Sequence, residues 1–359
     1  MRADLPPAVA QAIERSERPS LVFDHERITA NLRAIAVAAQ ASGVTTLFAA
    51  KSFPAAAVRE LAATALDGFD AASAQEVREL PAARVLSIVD PSGRAVEAAA
   101  HHRGRLIVGC ETIDQVTAAP AHAEIAIRIS ASITGRDPAI GAVLDGSGHR
   151  RSRFGLDAGE ATLGTFVRAA AGRPVGLHVH HGPVTATTSE RFLATARAVL
   201  ALAAEAELVP SFLDLGGAWH GIADLAGALR DLRAAVPREI ELIIEPGRRV
   251  TEEAGFACGR VVVARELADR PLRVIDLSRI CHLRWSQIEL VGPAPHAGEG
   301  RSVLVVGPTC YEEDVIGEWT LAPDRLAAGD RVVLRHVSGY AVAWNTSFGG
   351  VPAADVVIA

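Results

Sequence analysis

Between Leu47 and Glu245 short runs rich in Val, Ile, Leu and Phe alternate with longer Ala-, Arg- and Glu-rich segments whose apolar residues recur at helical spacing. Eight runs read as strands: residues 46–50, 68–72, 85–89, 106–109, 125–129, 175–180, 212–215 and 242–245. Helical patterns such as 55–65, 158–171, 190–206 and 223–235 fall between most of them. Strands apolar on both faces belong to a parallel sheet covered by helices. Eight alternations predict an α/β fold of (β/α)8 TIM-barrel type. An open, doubly wound sheet is the competing architecture, but it gives no reason for the count to stop at eight.

Beyond residue 250 the texture changes. Residues 260–265, 272–277, 302–306, 331–336 and 340–345 read as β-runs, separated by turns such as Gly298-Glu299-Gly300 and Ala328-Gly329-Asp330. The run 19–24 is also strand-like and precedes the first barrel helix. The expected division is a barrel over 25–250 and an all-β domain built from 1–24 and 251–359.

The bulk properties narrow the partners. A net charge of −6 and an aromatic content of only 4% argue against a nucleic-acid surface. Cys110, Cys258, Cys281 and Cys310 form no CxxC pair and no zinc-ligand spacing, which fits a reducing, cytoplasmic setting. The first twenty residues lack the apolar segment of a signal peptide. No stretch reaches the roughly 20 apolar residues that span a bilayer, so no membrane association is expected.

Barrel enzymes gather their reacting groups at the C-terminal ends of the strands. Here those ends carry Lys51, Asp70, Asp90, Cys110-Glu111, Arg128, His178-Val179-His180-His181, Gly216-Gly217 and Glu245-Pro246-Gly247-Arg248. An amine directly after an apolar strand can be desolvated and its pKa lowered enough to form a Schiff base. The bland alternative for Lys51 is a side chain that snorkels from the barrel mouth. Gly216-Gly217 lets backbone N–H groups approach an anion such as phosphate, although a lone Gly-Gly is usually only a turn. Glu245 and Arg248 suit a cationic ring nitrogen and a phosphate; a surface turn with an incidental ion pair is the alternative. His178 and His180, with Glu111 or Asp70, offer the rival reading of a divalent-metal hydrolase.

Taken in order, these segments resemble the fold-type III pyridoxal-phosphate (PLP) decarboxylases, the ornithine, diaminopimelate and carboxynorspermidine decarboxylase group that shares its barrel with alanine racemase. Leu47-Phe48-Ala49-Ala50-Lys51-Ser52 is similar to the family's cofactor-lysine strand, and Gly68-Phe69-Asp70-Ala71-Ala72-Ser73 follows at its spacing. Arg153-Phe154-Gly155-Leu156 resembles the KFG-type motif, and Gly176-Leu177-His178-Val179-His180-His181-Gly182 the histidine strand. Leu213-Asp214-Leu215-Gly216-Gly217 and Glu245-Pro246-Gly247-Arg248 resemble the phosphate loop and the pyridine-binding element. Gly307-Pro308-Thr309-Cys310-Tyr311-Glu312-Glu313-Asp314 resembles the segment of the decarboxylase cysteine, and Gly339-Tyr340 with Ser347-Phe348 the closing aromatic motif.

The resemblance implies roles. Lys51 would hold PLP as an internal aldimine, His180 would stack on its ring, and Glu245 would pair with the pyridine nitrogen. Gly216, Gly217, Gly247, Arg248 and Tyr340 would hold the phosphate, with Asp70 and Arg128 in the polar shell around the cofactor. Cys310 would return a proton after carbon dioxide leaves, offered from the neighbouring subunit of a homodimer. Tyr311, Asp314 and Arg279 would face an amino-acid substrate. Two departures bear on that substrate: Pro183 replaces the family's usual serine, and Tyr311 stands where decarboxylases of basic amino acids commonly carry an acid. Arg279, His282 and Arg284 would favour a distal carboxylate or a conjugated substituent. Racemization on the same barrel, or coenzyme binding without catalysis, are the alternatives; a racemase needs a second base, typically tyrosine, and the chain has two tyrosines.

Overall fold

A computed structural model describes residues 5–134, 143–144, 150–157, 159–180, 189–294, 300–322 and 325–359. The chain divides into two compact units, one of Leu32–Lys51 with Ala55–Val250 and one of Met1–Asn31, Ser52–Pro54 and Thr251–Ala359. In chain order the strands are β1 (Ser20–Phe23), β2 (Val44–Ala49), β3 (Gly68–Ala71), β4 (Val85–Ile88), β5 (Arg105–Cys110) and β6 (Glu124–Arg128). The two-residue strands β7 (Val143–Leu144) and β8 (Arg150–Arg151) pair with each other, and β9 (Val175–His178), β10 (Phe212–Asp214) and β11 (Glu241–Ile244) follow. The remainder are β12 (Gly255–Glu266), β13 (Pro271–Ile275), β14 (Glu289–Gly292), β15 (Arg301–Val306), β16 (Val315–Leu321), β17 (Arg331–Arg335) and β18 (Asp355–Ile358).

Strands β2–β6 and β9–β11 close into an eight-stranded parallel barrel, the fold expected from the alternation of patterns. Leu47, Val85, Ile107, Ala126, Phe212 and Ile243 form one buried cluster, one residue from each of six strands. Gly176 on β9 makes room for the Phe212 ring, which a Cβ there would meet at 2.4 Å. Helices between the strands start where the sequence supplies caps. Ser73 caps Ala74–Glu79, Thr112 and Gln115 form a capping box for Ile113–Ala118, and Asp224 caps Leu225–Ala235.

The amino-terminal end of the barrel is sealed by charge. Arg105 at the start of β5 donates to Glu124 at 2.7 Å and to Glu241 at 2.7 Å, and Thr45 donates to Glu241 at 2.6 Å. Each of these groups is paired.

The other unit is built on a mixed sheet ordered β14-β17-β12-β13-β15-β16, with β1 paired to β12 and to β18. Val9 and Ile13 of the helix Pro7–Arg15 pack onto Val22, Phe256, Cys258 and Val333 of this sheet. One expectation is overturned here: the run at 340–345 is not a strand but a helical turn, Tyr340–Ala343. The reason is aromatic packing. The rings of Tyr340 and Trp344 lie 5.2 and 5.5 Å from that of Trp285, and residues four apart both reach one ring at helical spacing but not along an extended strand.

Candidate active site

Lys51 lies in the tight turn that follows β2, and its Nζ donates to Oδ2 of Asp70 on the neighbouring β3 at 2.7 Å. The lysine side chain is one-third exposed, whereas that of Asp70 is fully buried. Oδ1 of Asp70 has no hydrogen-bond partner among the described residues. The amine is therefore held by a carboxylate but can be reached.

At the end of β6 the Arg128 guanidinium donates to Glu111 at 3.1 Å and lies 4.4 Å over the ring of Phe154. Burial pulls its pKa down against the opposing pull of Glu111, Glu245 and Asp70, yet a guanidinium stays charged at any ordinary pH. The KFG-type segment has a visible purpose. Gly155 gives its N–H to Glu111 at 3.2 Å and Leu156 gives its own to the Arg128 carbonyl at 2.8 Å. Gly155 has φ +80° and approaches Ile129 so closely that a Cβ would sit 2.5 Å from its carbonyl carbon.

The glycine turn after β10 differs from its sequence reading. The N–H of Gly216 goes to Oδ1 of Asp214 at 2.8 Å, and that of Gly217 to Nδ1 of His180 at 3.0 Å. Both donors are thus spent on protein acceptors rather than held for an anion. What the pair supplies is space: Gly216 has φ +63°, and a Cβ there would lie 2.5 Å from the His180 ring. Trp219 braces the turn by donating to the Gly216 carbonyl at 2.7 Å while stacking on Phe192. Because Nδ1 of His180 accepts, a neutral His180 carries its proton on Nε2. His181, Gly182 and Pro183 lie outside the described residues.

Glu245 follows β11 and is buried, with Oε1 lacking a partner among the described residues. Burial and the adjacent Asp214 raise its pKa well above the carboxylate range, and burial pushes Asp214 up to about 7. His178 is also buried, 3.8 Å from Glu245 through Nε2, and burial and Arg128 depress its pKa. His178, Asp214 and Glu245 are the acid–imidazole group that the structure gathers. The sequence-based metal set of His178 and His180 with Glu111 or Asp70 does not form, since Asp70 holds Lys51, Glu111 holds Arg128 and His180 accepts from Gly217. Arg248 is half-buried in the short turn Arg248–Thr251, and Val250 donates to the Gly247 carbonyl.

The remaining candidates lie in the sheet unit. Cys310 is exposed, and Tyr311 is exposed with its ring against Phe348 at 5.2 Å. Asp314 is buried and accepts from Ser278 Oγ, the Arg279 N–H, the Thr309 N–H and Thr309 Oγ1 at 2.7 to 3.2 Å. Its carboxylate orders the loop and has no face left for a substrate. Arg279 donates to the carbonyls of Ser286 at 2.9 Å and Leu283 at 3.4 Å. His282 is buried, accepting from Ser278 N–H and meeting the Pro352 carbonyl at 3.0 Å. The expected cationic face thus reduces to Arg284, exposed over the ring of Trp344 at 4.7 Å. Tyr340 is half-buried in the aromatic group with Trp285.

A lysine held at one strand end, facing buried acids across the same rim, is the equipment of a barrel that works on amines through a bound coenzyme. Residues 26–252 match the family described as "Pyridoxal-dependent decarboxylase, pyridoxal binding domain". The chain belongs to this family, and its activity is pyridoxal-phosphate-dependent decarboxylation of an amino acid.

It is similar to the diaminopimelate decarboxylase of Actinosynnema pretiosum subsp. auranticum, 27% identical over 94% of this chain and 83% of the relative. It is also similar to that of Pseudomonas aeruginosa, 26% identical over 95% and 87%. In fold it resembles the Paramecium bursaria Chlorella virus arginine decarboxylase bound to agmatine, with a TM-score of 0.79, 18% identity and coverage of 98% and 99%. The lysine/ornithine decarboxylase from Vibrio vulnificus gives 0.78, 19%, 98% and 97%. None of these names points to a racemase. Among the described residues no helix is long and apolar enough to cross a membrane.

Proposed function

We propose that Lys51 is the covalent anchor of the coenzyme and that Glu245 meets its ring nitrogen. The observation that supports this most is the buried, unpartnered Oε1 of Glu245. An orphan acceptor in a dry site costs about 1–3 kcal/mol unless something fills it, and a protonated ring nitrogen is a donor of the right kind. The glycine turn supports the same reading, because the missing Cβ atoms of Gly216 and Gly217 let His180 come close to the turn. When bound, pyridoxal phosphate supplies an electron-withdrawing ring that accepts the electrons released when the carboxyl carbon departs.

The chain's own groups do the rest. Asp70 holds the Lys51 amine as a cation until it is needed and orients it. His180, fixed through Nδ1 by Gly217, presents a flat face to the ring. Arg248, beside Gly247, would hold the phosphate, and the glycine turn gives His180 room to approach. Glu111 and Phe154 hold Arg128 in the polar shell. Cys310, exposed on its loop, returns a proton to the carbon that lost carbon dioxide. A homodimer is the assembly in which that cysteine serves a partner's barrel, in the cytoplasm.

For the substrate we propose an amino acid with a polar distal end, with the diamino acid named for the curated relatives as first candidate. Asp314 and Arg279 are spent on partners within the sheet unit, which leaves Tyr311 and Arg284 to read that end. The test is carbon dioxide release from diaminopimelate, lysine, ornithine and arginine. Release from diaminopimelate above the other three supports the reading; enantiomer exchange without gas contradicts it.

A further inference from the structure

His178 ends β9, Asp214 ends β10 and Glu245 follows β11, so three neighbouring strands set these groups side by side, with Asp214 in register with His178. One ring nitrogen and one oxygen from each carboxyl lie within 4.8 Å of one another, and no member is more than 2% exposed. Neither nitrogen of His178 has a hydrogen-bond partner among the described residues, nor does Oε1 of Glu245. Two of the three have no place in the roles assigned above.

Two carboxyls this close and this dry cannot both ionise, so a proton stays between them and its titration belongs to the pair. The charged groups that act on the cluster are Lys51, Asp70, Arg128 and His180. Burial above all, and then Arg128, His180 and Lys51, oppose a charge on His178, so the imidazole is neutral and not the source of the proton.

We infer that Asp214 is a positioning residue that sets the charge of Glu245, the two sharing a proton beside neutral His178 and thereby making coenzyme binding pH-dependent. This rests on the assignment of Glu245 to the ring nitrogen. While Asp214 is protonated, Glu245 passes its proton to an incoming unprotonated ring nitrogen and is left as a single carboxylate beside a cation. Once Asp214 has ionised, the same transfer leaves two adjacent carboxylates charged, and binding weakens. Asp214 also fixes the Gly216 turn through Oδ1, so one side chain serves both the turn and the acid behind it.

The experiment is equilibrium binding of pyridoxal phosphate to the full-length apoprotein from about pH 6 to about 8.5, for wild type, Asp214→Asn and His178→Gln. Asparagine keeps an acceptor for the Gly216 N–H, and circular dichroism verifies that each variant is folded. Relative to Asp214→Asn, in which titrations common to both proteins cancel, wild-type affinity should fall by up to about tenfold per pH unit above neutrality, the limit for one linked proton. His178→Gln should keep the wild-type slope. The proposal is overturned if Asp214→Asn retains that slope, or if the slope vanishes in His178→Gln instead. Tight but pH-parallel binding by wild type and Asp214→Asn refutes this inference alone; wild type that binds no coenzyme refutes the assignment of the site as well.

Discussion

The two ends of the barrel handle charge in opposite ways. At the amino-terminal rim Arg105 is met by Glu124 and Glu241, and Thr45 completes the set. At the carboxyl-terminal rim Glu245, Asp70 and His178 keep atoms without partners among the described residues. Satisfied charge stabilises a fold, whereas unsatisfied buried polar atoms cost stability and persist where something else is to bind. The difference supports the proposal that the carboxyl-terminal rim receives the coenzyme.

Substitutions can sharpen or break that contrast. The largest effect is expected from Lys51→Ala, which should lower turnover by more than about 10^4-fold while leaving the melting temperature of the apoprotein within a few degrees; steady-state carbon dioxide release and calorimetry check it. Glu245→Gln should lower turnover by about 10^2-fold or more, yet leave the apoprotein as stable or more so, because a raised, buried carboxyl is removed. A large loss of stability in that variant would count against the contrast.

Arg105→Ala should behave in reverse. Leaving Glu124 and Glu241 unpaired at a partly exposed site should cost about 2 kcal/mol in urea unfolding, with coenzyme affinity unchanged. Gly216→Ala, forced into φ +63° against His180, should cost about 1–2 kcal/mol and weaken coenzyme binding. A further effect concerns pH. Asp214 ordinarily titrates at 3.8 and is pushed up to about 7 in the fold. From about pH 4 to about 7 the folded state keeps a proton that the unfolded chain has released, so wild-type apoprotein should lose stability with rising pH relative to Asp214→Asn. A gain relative to that variant over the interval would refute the assignment of the shift.

Much of the barrel was legible because strands buried on both faces read as unbroken apolar runs, and all eight expected runs overlap the observed strands. The sheet unit was harder. The seven-residue strand β16 interleaves Gly317 and Glu318 among its apolar residues and was passed over, while the aromatic run at 340–345 read as a strand until Trp285 was seen to gather it into a helical turn. The strand-end positions of Lys51 and Glu245 were legible from the apolar runs that precede them. Asp214 was not, since nothing in spacing along one strand shows which side chains meet across three. The partners of Asp314 and Arg279 were equally hidden, because Asp314 accepts from Ser278 and Arg279, far off in sequence, as well as from nearby Thr309, and Arg279 donates to backbone carbonyls.

The measurement closest to the centre of this account is mass spectrometry of the coenzyme-loaded protein after borohydride reduction and proteolysis. A single coenzyme adduct on the peptide containing Lys51, absent from Lys51→Ala, is the predicted result. An unmodified Lys51 in saturated protein, or an adduct on another residue, would contradict it.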